Sequence, residues 1–312
     1  MVNNEYLKST TKQSRDNKKL KQRGKIFNQD VLFNFFVYFF LILFCALILF
    51  PIFHIVSGSF SNPIELIKGE VKLLPKGFTL NMYRKVFNDN SIWRAYSNTI
   101  FYTILGTSIS VFLTSTAAYA LSRRDFYGRN IFMGLFLFTM FFSGGMIPTF
   151  LIVQRLGMLN TIWAMVLPSA ISTYNMIIMR TFFANSIPFE LTESAQLDGC
   201  NDIKIFIKIA LPLSGPVLAV MTLFYGVSLW NSWFPALLYL RNRGLYPLQL
   251  VLREILLQSD ISNMTGSAGD VESIGEGLKY ATMIVATLPI LCLYPFLQRY
   301  FTKGVMIGAV KG

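Results

Sequence analysis

Apolar residues run in long blocks along this chain, and polar stretches separate them. The first block, VLFNFFVYFFLILFCALILFPIFHIV, covers residues 31–56. It predicts a membrane-spanning helix over 31–57. Five further blocks follow at about 97–121, 131–153, 162–183, 210–240 and 280–298. Each holds enough apolar residues to cross a hydrocarbon core of about 30 Å as a helix. Helix is the forced conformation, because lipid cannot satisfy open backbone groups. The pattern therefore predicts an all-α polytopic membrane protein with six transmembrane helices.

The polar stretches divide the rest. Residues 1–30 form a basic tail with little apolar periodicity, and the pattern predicts disorder or a surface-lying arm. Its length, and the lack of a small-residue cleavage site after 31–56, read as an anchor and not a signal peptide. Residues 58–96 and 241–279 form two long loops, and 97–300 holds the remaining five spans. Residues 301–312 form a short tail.

One polar stretch, ELTESAQLDGCNDIKIFIKIALPLSGP (190–216), lies between spans four and five. Ser186 can cap a helix that has Pro188 in its first turn. Glu190 and Glu193 lie near that helix's positive end. Gly199 suits a left-handed stop. A rigid helix over roughly 188–198 results. Asn201 can cap a second helix climbing through Ile205, Phe206 and Ile209. Pro212 marks the bend into span five. The residues alone leave an amphipathic, lipid-lying helix equally open.

Charge sets the orientation. With the tail inside, the inner segments carry 17 of the 28 Lys and Arg, including Arg123, Arg124 and Arg129 in the short loop SRRDFYGR. Short loops follow the positive-inside rule best, so both termini are expected in the cytoplasm. Composition agrees with a membrane protein. The chain of 312 residues is 53% hydrophobic and 14% charged, with a mean hydropathy of +0.49; soluble domains average about a quarter charged. The net charge of +12 does not point to nucleic acid, because the basic residues flank apolar runs and form no basic face. Three cysteines offer no disulfide framework.

Glu193, Ala195, Gly199, Ile209, Leu211 and Pro212 stand at the spacing E-x-A-x3-G-x9-I-x-L-P. This resembles the EAA loop of binding-protein-dependent ABC importer permeases, with Ser194 where the family usually has Ala. LLPKGFTLNMYRKVF (73–87), FFSGGMIPTFLIVQRLGMLNT (141–161), WNSWFPALLYL (230–240), LYPLQLVLREIL (245–256) and GVMIGAVKG (304–312) are similar to the MalG-like carbohydrate permeases. Among these the chain looks closest to the branch importing complex oligosaccharides and polysaccharide fragments.

The resemblance implies a type I ABC importer transmembrane domain in a bacterial cell membrane. It implies that the loop 186–212, with Glu193, Ser194, Ala195, Asp198 and Gly199, couples to a cytoplasmic ATPase. It also implies two ATPase subunits that hold ATP and magnesium, a second related permease, an extracytoplasmic binding protein and an oligosaccharide substrate. Gly308, Ala309, Val310, Lys311 and Gly312 become a candidate second ATPase contact, with a frayed tail as the alternative.

The chain itself is consistent with that reading. No G-x-x-x-x-G-K-[ST] phosphate loop is present, so no cofactor is expected on this chain. The six apolar blocks contain no Asp or Glu, where a proton- or sodium-coupled carrier usually keeps an ionisable group. His54 is the one candidate, and an interfacial histidine is its plain alternative. A single His and the absence of a G-x-S-x-G elbow argue against a metal centre or a hydrolase.

For a sugar path, Ser143, Gly144, Gly145 and Pro148 interrupt span three. A broken backbone at membrane depth lines protein or a watery cavity, and small residues also serve helix packing. Trp230, Asn231, Ser232 and Trp233 in span five, and Tyr174 and Asn175 in span four, join apolar faces with polar groups that suit a sugar. An aromatic belt would use the same tryptophans. A channel or membrane scaffold with an amphipathic inner helix is the alternative function.

Overall fold

The computed structural model describes residues 3–265, 275–292 and 295. Among the described residues the regular structure is all helical, with no strand. Helix α1 (Asn3–Ser59) is followed by α2 (Pro63–Ile67), α3 (Asn81–Asn88), α4 (Asn90–Ser122), α5 (Arg129–Phe141) and α6 (Met146–Arg155). Then come α7 (Trp163–Val166), α8 (Thr173–Ser186), α9 (Phe189–Leu197), α10 (Asp202–Ile205), a π-helical turn (Phe206–Ala210) and α11 (Leu211–Leu213). The chain continues through α12 (Gly215–Trp230), α13 (Phe234–Tyr239), a 3₁₀ turn (Arg243–Leu245) and α14 (Leu248–Thr265). A last helix, α15, covers residues 275–292.

The apolar pattern and the helices differ in instructive ways. Residues 3–30 are not a coil but continue the helix of the first span without a break. Lys, Arg, Gln and Leu are good helix formers, and the adjoining span removes the nucleation cost that isolates short helices. The second block is one straight helix, extended back to Asn90. The third block is α5 and α6, bent by 115°. The bend falls on residues 142–145, where Gly145 adopts φ +87°. The fourth block is two helices, α7 and α8, with a non-helical link between them. The fifth is α12 and α13, interrupted at residues 231–233. Helix α15 begins ahead of the sixth block, whose end lies outside the described residues.

Two of these helices are long and apolar enough to cross a membrane, Val31–Ser59 within α1 and α4; two bent pairs, α5 with α6 and Asp202–Leu213 with α12, reach that length together. At 1.5 Å per residue, 29 residues span about 43 Å.

Helix α4 is the centre of the fold. One stripe of it buries Thr99, Gly106, Thr107, Ser110, Thr114, Ser115 and Ala118. These are small residues, so neighbouring helices approach closely. A Cβ on Gly106 would stand 2.7 Å from the Leu229 side chain of α12. The Thr114 and Tyr225 hydroxyls pair at 2.7 Å, and the Tyr225 oxygen also accepts the Ser172 backbone N–H. One buried phenol thus ties α4 and α12 to the start of α8. Near the other end of α4, the Asn98 amide donates to the carbonyls of Gly244 and Tyr246, and the Tyr102 hydroxyl donates to Leu245 O. Thr99 Oγ1 accepts the Leu248 N–H at 2.8 Å. These bonds fix where α14 begins.

Candidate functional site

Helix α9 has a sharply defined end. The Gly199 N–H bonds to Gln196 O and the Cys200 N–H to Ala195 O, at 3.0 and 2.9 Å. Gly199 sits at φ +80°. This is a Schellman stop, and it needs a residue without a Cβ at that φ. The start differs from the sequence expectation. Ser186 ends α8, and Pro188 is the cap residue of α9, with no side-chain cap bond. Proline's preset φ and missing N–H suit it to a helix start without a polar cap. Glu190 still occupies the first turn.

Thr192 and Ala195 are buried, and Ala195 joins the main core with Phe183, Ile205 and Met179. The opposite face carries Leu191, Glu193, Ser194, Leu197 and Asp198 in the open. Leu197 is 89% exposed. A rigid helix therefore holds two leucines and a set of acids away from the core.

Behind α9 the chain climbs back without losing stiffness. The Asn201 side chain accepts the Lys204 N–H at 2.9 Å and caps α10. Ile209 packs against the core and Leu211 lies beside it. Pro212 sits within α11, and the 83° bend comes two residues later at Ser214, not at the proline. Pro212 has no N–H to give and its ring crowds the preceding turn. The π-helical turn over Phe206–Ala210 lies just before it, where a wider turn relieves both problems.

Arg123, at the end of α4, braces α9 from the side. Its guanidinium lies 5.7 Å from the Phe189 ring centre and donates twice to Asp125, both at 3.1 Å. These bonds hold the Asp125 carboxyl below its ordinary 3.8, against a smaller effect of burial. Burial works against the Arg123 charge, and bonding to Asp125 with other nearby groups outweighs it, so Arg123 is raised. A depressed carboxylate stabilises fully above its unfolded value, so the brace is complete above pH 3.8 and is lost as pH falls through the lower folded value. A cleft of about 350 Å³ lies alongside, between Tyr119, Arg123, Tyr127 and Asp202.

The sugar-path candidates do not form one site. Ser143, Gly144 and Gly145 are exposed at the α5–α6 bend, where Ser143 Oγ accepts the Gly145 N–H. Tyr174 is exposed and Asn175 buried, on opposite faces of α8. Trp230 is buried, and its indole N–H donates to Ala286 O at 3.2 Å. Asn231 and Trp233 are at the α12–α13 break, exposed and half-buried respectively. His54 bonds Lys72 O and meets Tyr280 edge to face. The candidate contact 308–312 lies outside the described residues.

Residues 110–307 match the family model described as binding-protein-dependent transport system inner membrane component. The chain belongs to this family. It is 46% identical over 268 residues to Protein LplC of Bacillus subtilis (strain 168), covering 86% of this chain and 90% of that protein. It is 45% identical to the polygalacturonan/rhamnogalacturonan transport system permease protein YtcP of the same organism, over 84% of this chain and 92% of that one. Among solved structures, a bacterial ABC transporter involved in the import of the acidic polysaccharide alginate matches with a TM-score of 0.79 and 33% identity, over 88% of this chain and 98% of that chain.

The matched segment holds α9 and every helix after it, and most of α4. The permease is thus an ABC importer subunit whose fold is that of solved relatives. Sequence reasoning missed Tyr225, Arg123 and Arg253 as contact makers. Each meets a partner far along the chain or across a turn, so no local pattern marks it. Helix α14 had a legible signal: Leu248, Val251, Leu252 and Ile255 repeat at helical spacing.

Proposed function

We propose that the permease is the membrane-spanning subunit of an ATP-driven importer. It carries a carbohydrate, an oligosaccharide, handed over by an extracytoplasmic binding protein. The names of YtcP and of the alginate importer support a carbohydrate. In this reading α1, α4, the bent pair α5–α6, α7 with α8, the bracket with α12, and α15 make six crossings of a bacterial cell membrane. Both termini are cytoplasmic, and a second, related permease completes the pathway. Two separate ATPase subunits bind ATP and magnesium; this chain binds no cofactor.

The observation that carries the reading is the exposed face of α9. Burying a leucine side chain contributes about 1.5–3 kcal/mol, so Leu191 and Leu197 invite a protein groove. Glu193, Ser194, Ala195, Asp198 and Gly199 would form or shape the peg, and Ile209, Leu211 and Pro212 its bracket. When the ATPase pair closes, the groove carries α9 with it. The capped end at Gly199 and the packed bracket pass that shift to α12 as rigid-body motion, which alternating access needs.

The test is Leu197→Glu. A charge at an 89% exposed position leaves the fold untouched. Detergent pull-down should then recover at least about tenfold less ATPase with an intact permease. Full recovery would reject the assignment.

A further inference from the structure

We infer that Arg253, stacked on Trp233, forms a recognition point for a carboxylate on the transported sugar. The substrate class is a uronate-bearing oligosaccharide. This rests on the carbohydrate reading above and narrows it.

The place is the end of α12 remote from α9. Helix α12 begins beside the bracket and runs 16 residues, about 24 Å. The break at 231–233 then turns the chain into α13. Helix α14 returns across this break, with Gln249 and Arg253 one turn apart on one face. Gln249 Nε2 donates to Asn231 Oδ1 at 3.5 Å. The Arg253 guanidinium carbon lies 3.8 Å from the centre of the Trp233 ring. Both residues of the stack are half-buried.

What Arg253 lacks is as informative as what it has. No carboxylate pairs with it among the described residues. Its neighbour Glu254 is engaged by Arg243 at 2.8 Å. A half-buried cation without a counter-charge is costly to keep. Stacking uses one flat face of the guanidinium and leaves its in-plane N–H groups for another partner. That fork matches a carboxylate, which accepts two parallel bonds. The Asn231 and Gln249 amides beside it suit sugar hydroxyls.

The arrangement is also held ready. Helix α14 is pinned at its start by the Asn98, Thr99 and Tyr102 bonds already described. A second clamp lies just ahead, where Asn160, at φ +59°, accepts the N–H groups of Arg241 and Asn242 on its side-chain oxygen. A pre-placed fork loses little freedom on binding. The alternative use of the pair is as an anchor joining α13 to α14 at the membrane interface.

The two uses separate in an uptake experiment with the complete transporter in cells. The probes are labelled trigalacturonate and its methyl ester, which keeps the rings and removes the charge. Arg253→Gln should lower trigalacturonate uptake about tenfold, since one charge-assisted bond is worth that factor or more. Ester uptake should stay within about twofold of the wild type, and it doubles as the check that the variant folds. Arg253→Lys should recover part of the trigalacturonate uptake, because it keeps the charge without the fork. An equal loss for both sugars would make the pair an anchor and overturn the inference, and so would no loss for either. A wild type that imports the ester but not trigalacturonate would overturn it while leaving the carbohydrate reading intact. A wild type that imports no saccharide would end both.

Discussion

Two helices of this chain could each cross a membrane alone, and they are built on opposite principles. The span Val31–Ser59 of α1 has a peak mean hydropathy of 2.8, and none of that window is buried. Helix α4 is less apolar, at 1.5, yet 44% of its window is buried. In water the greasier helix would be the core. In lipid the ranking inverts, because hydrocarbon solvates Phe and Leu as well as another helix does. What brings helices together there is close approach and paired polar groups. Helix α4 has both, in Gly106, Thr107, Ser110 and the Thr114–Tyr225 pair. Helix α1 has neither until Ser57 and Ser59, which are buried and bonded to backbone carbonyls.

The contrast can be broken where it is strongest. Gly106→Leu would force four carbons into a contact where one Cβ already stands 2.7 Å from Leu229. The expected loss is about 1–3 kcal/mol or more, seen as a clear fall in melting temperature in detergent. A silent variant would mean that α4 and α12 can part freely. Tyr225→Phe comes next. It leaves the Ser172 N–H and Thr114 hydroxyl without their partner, for about 1–3 kcal/mol by the same measurement. No change would show that water reaches this hydroxyl. The smallest effect belongs to α1. Leu47→Ala, at a position 66% exposed, should shift stability of the permease by under about 0.5 kcal/mol. A loss the size of a core leucine would show α1 packed against the rest of the chain.

How much of this was legible follows the range of the interactions. The helix around Glu193 could be read closely, because its stop at Gly199 and the Asn201 cap behind it are contacts between residues at most six apart. Its start was misread, since Ser186 was equally able to end the preceding helix. The sugar-path residues were read by type alone, and type could not separate Trp230, buried under α15, from Trp233, half-open beneath Arg253. Nothing within five residues distinguishes these two tryptophans.

The sequence alone therefore determined which blocks face lipid, that they are helices, and the stiff polar peg between them. Those outcomes depend on side-chain solvation and on bonds within a turn or two. Only the tertiary structure decided where the helices break, which small-residue stripe became the centre, and that an unpaired guanidinium rests on an indole 20 residues earlier. Those outcomes depend on which segments meet, and a contact across the fold leaves no periodic trace along the chain.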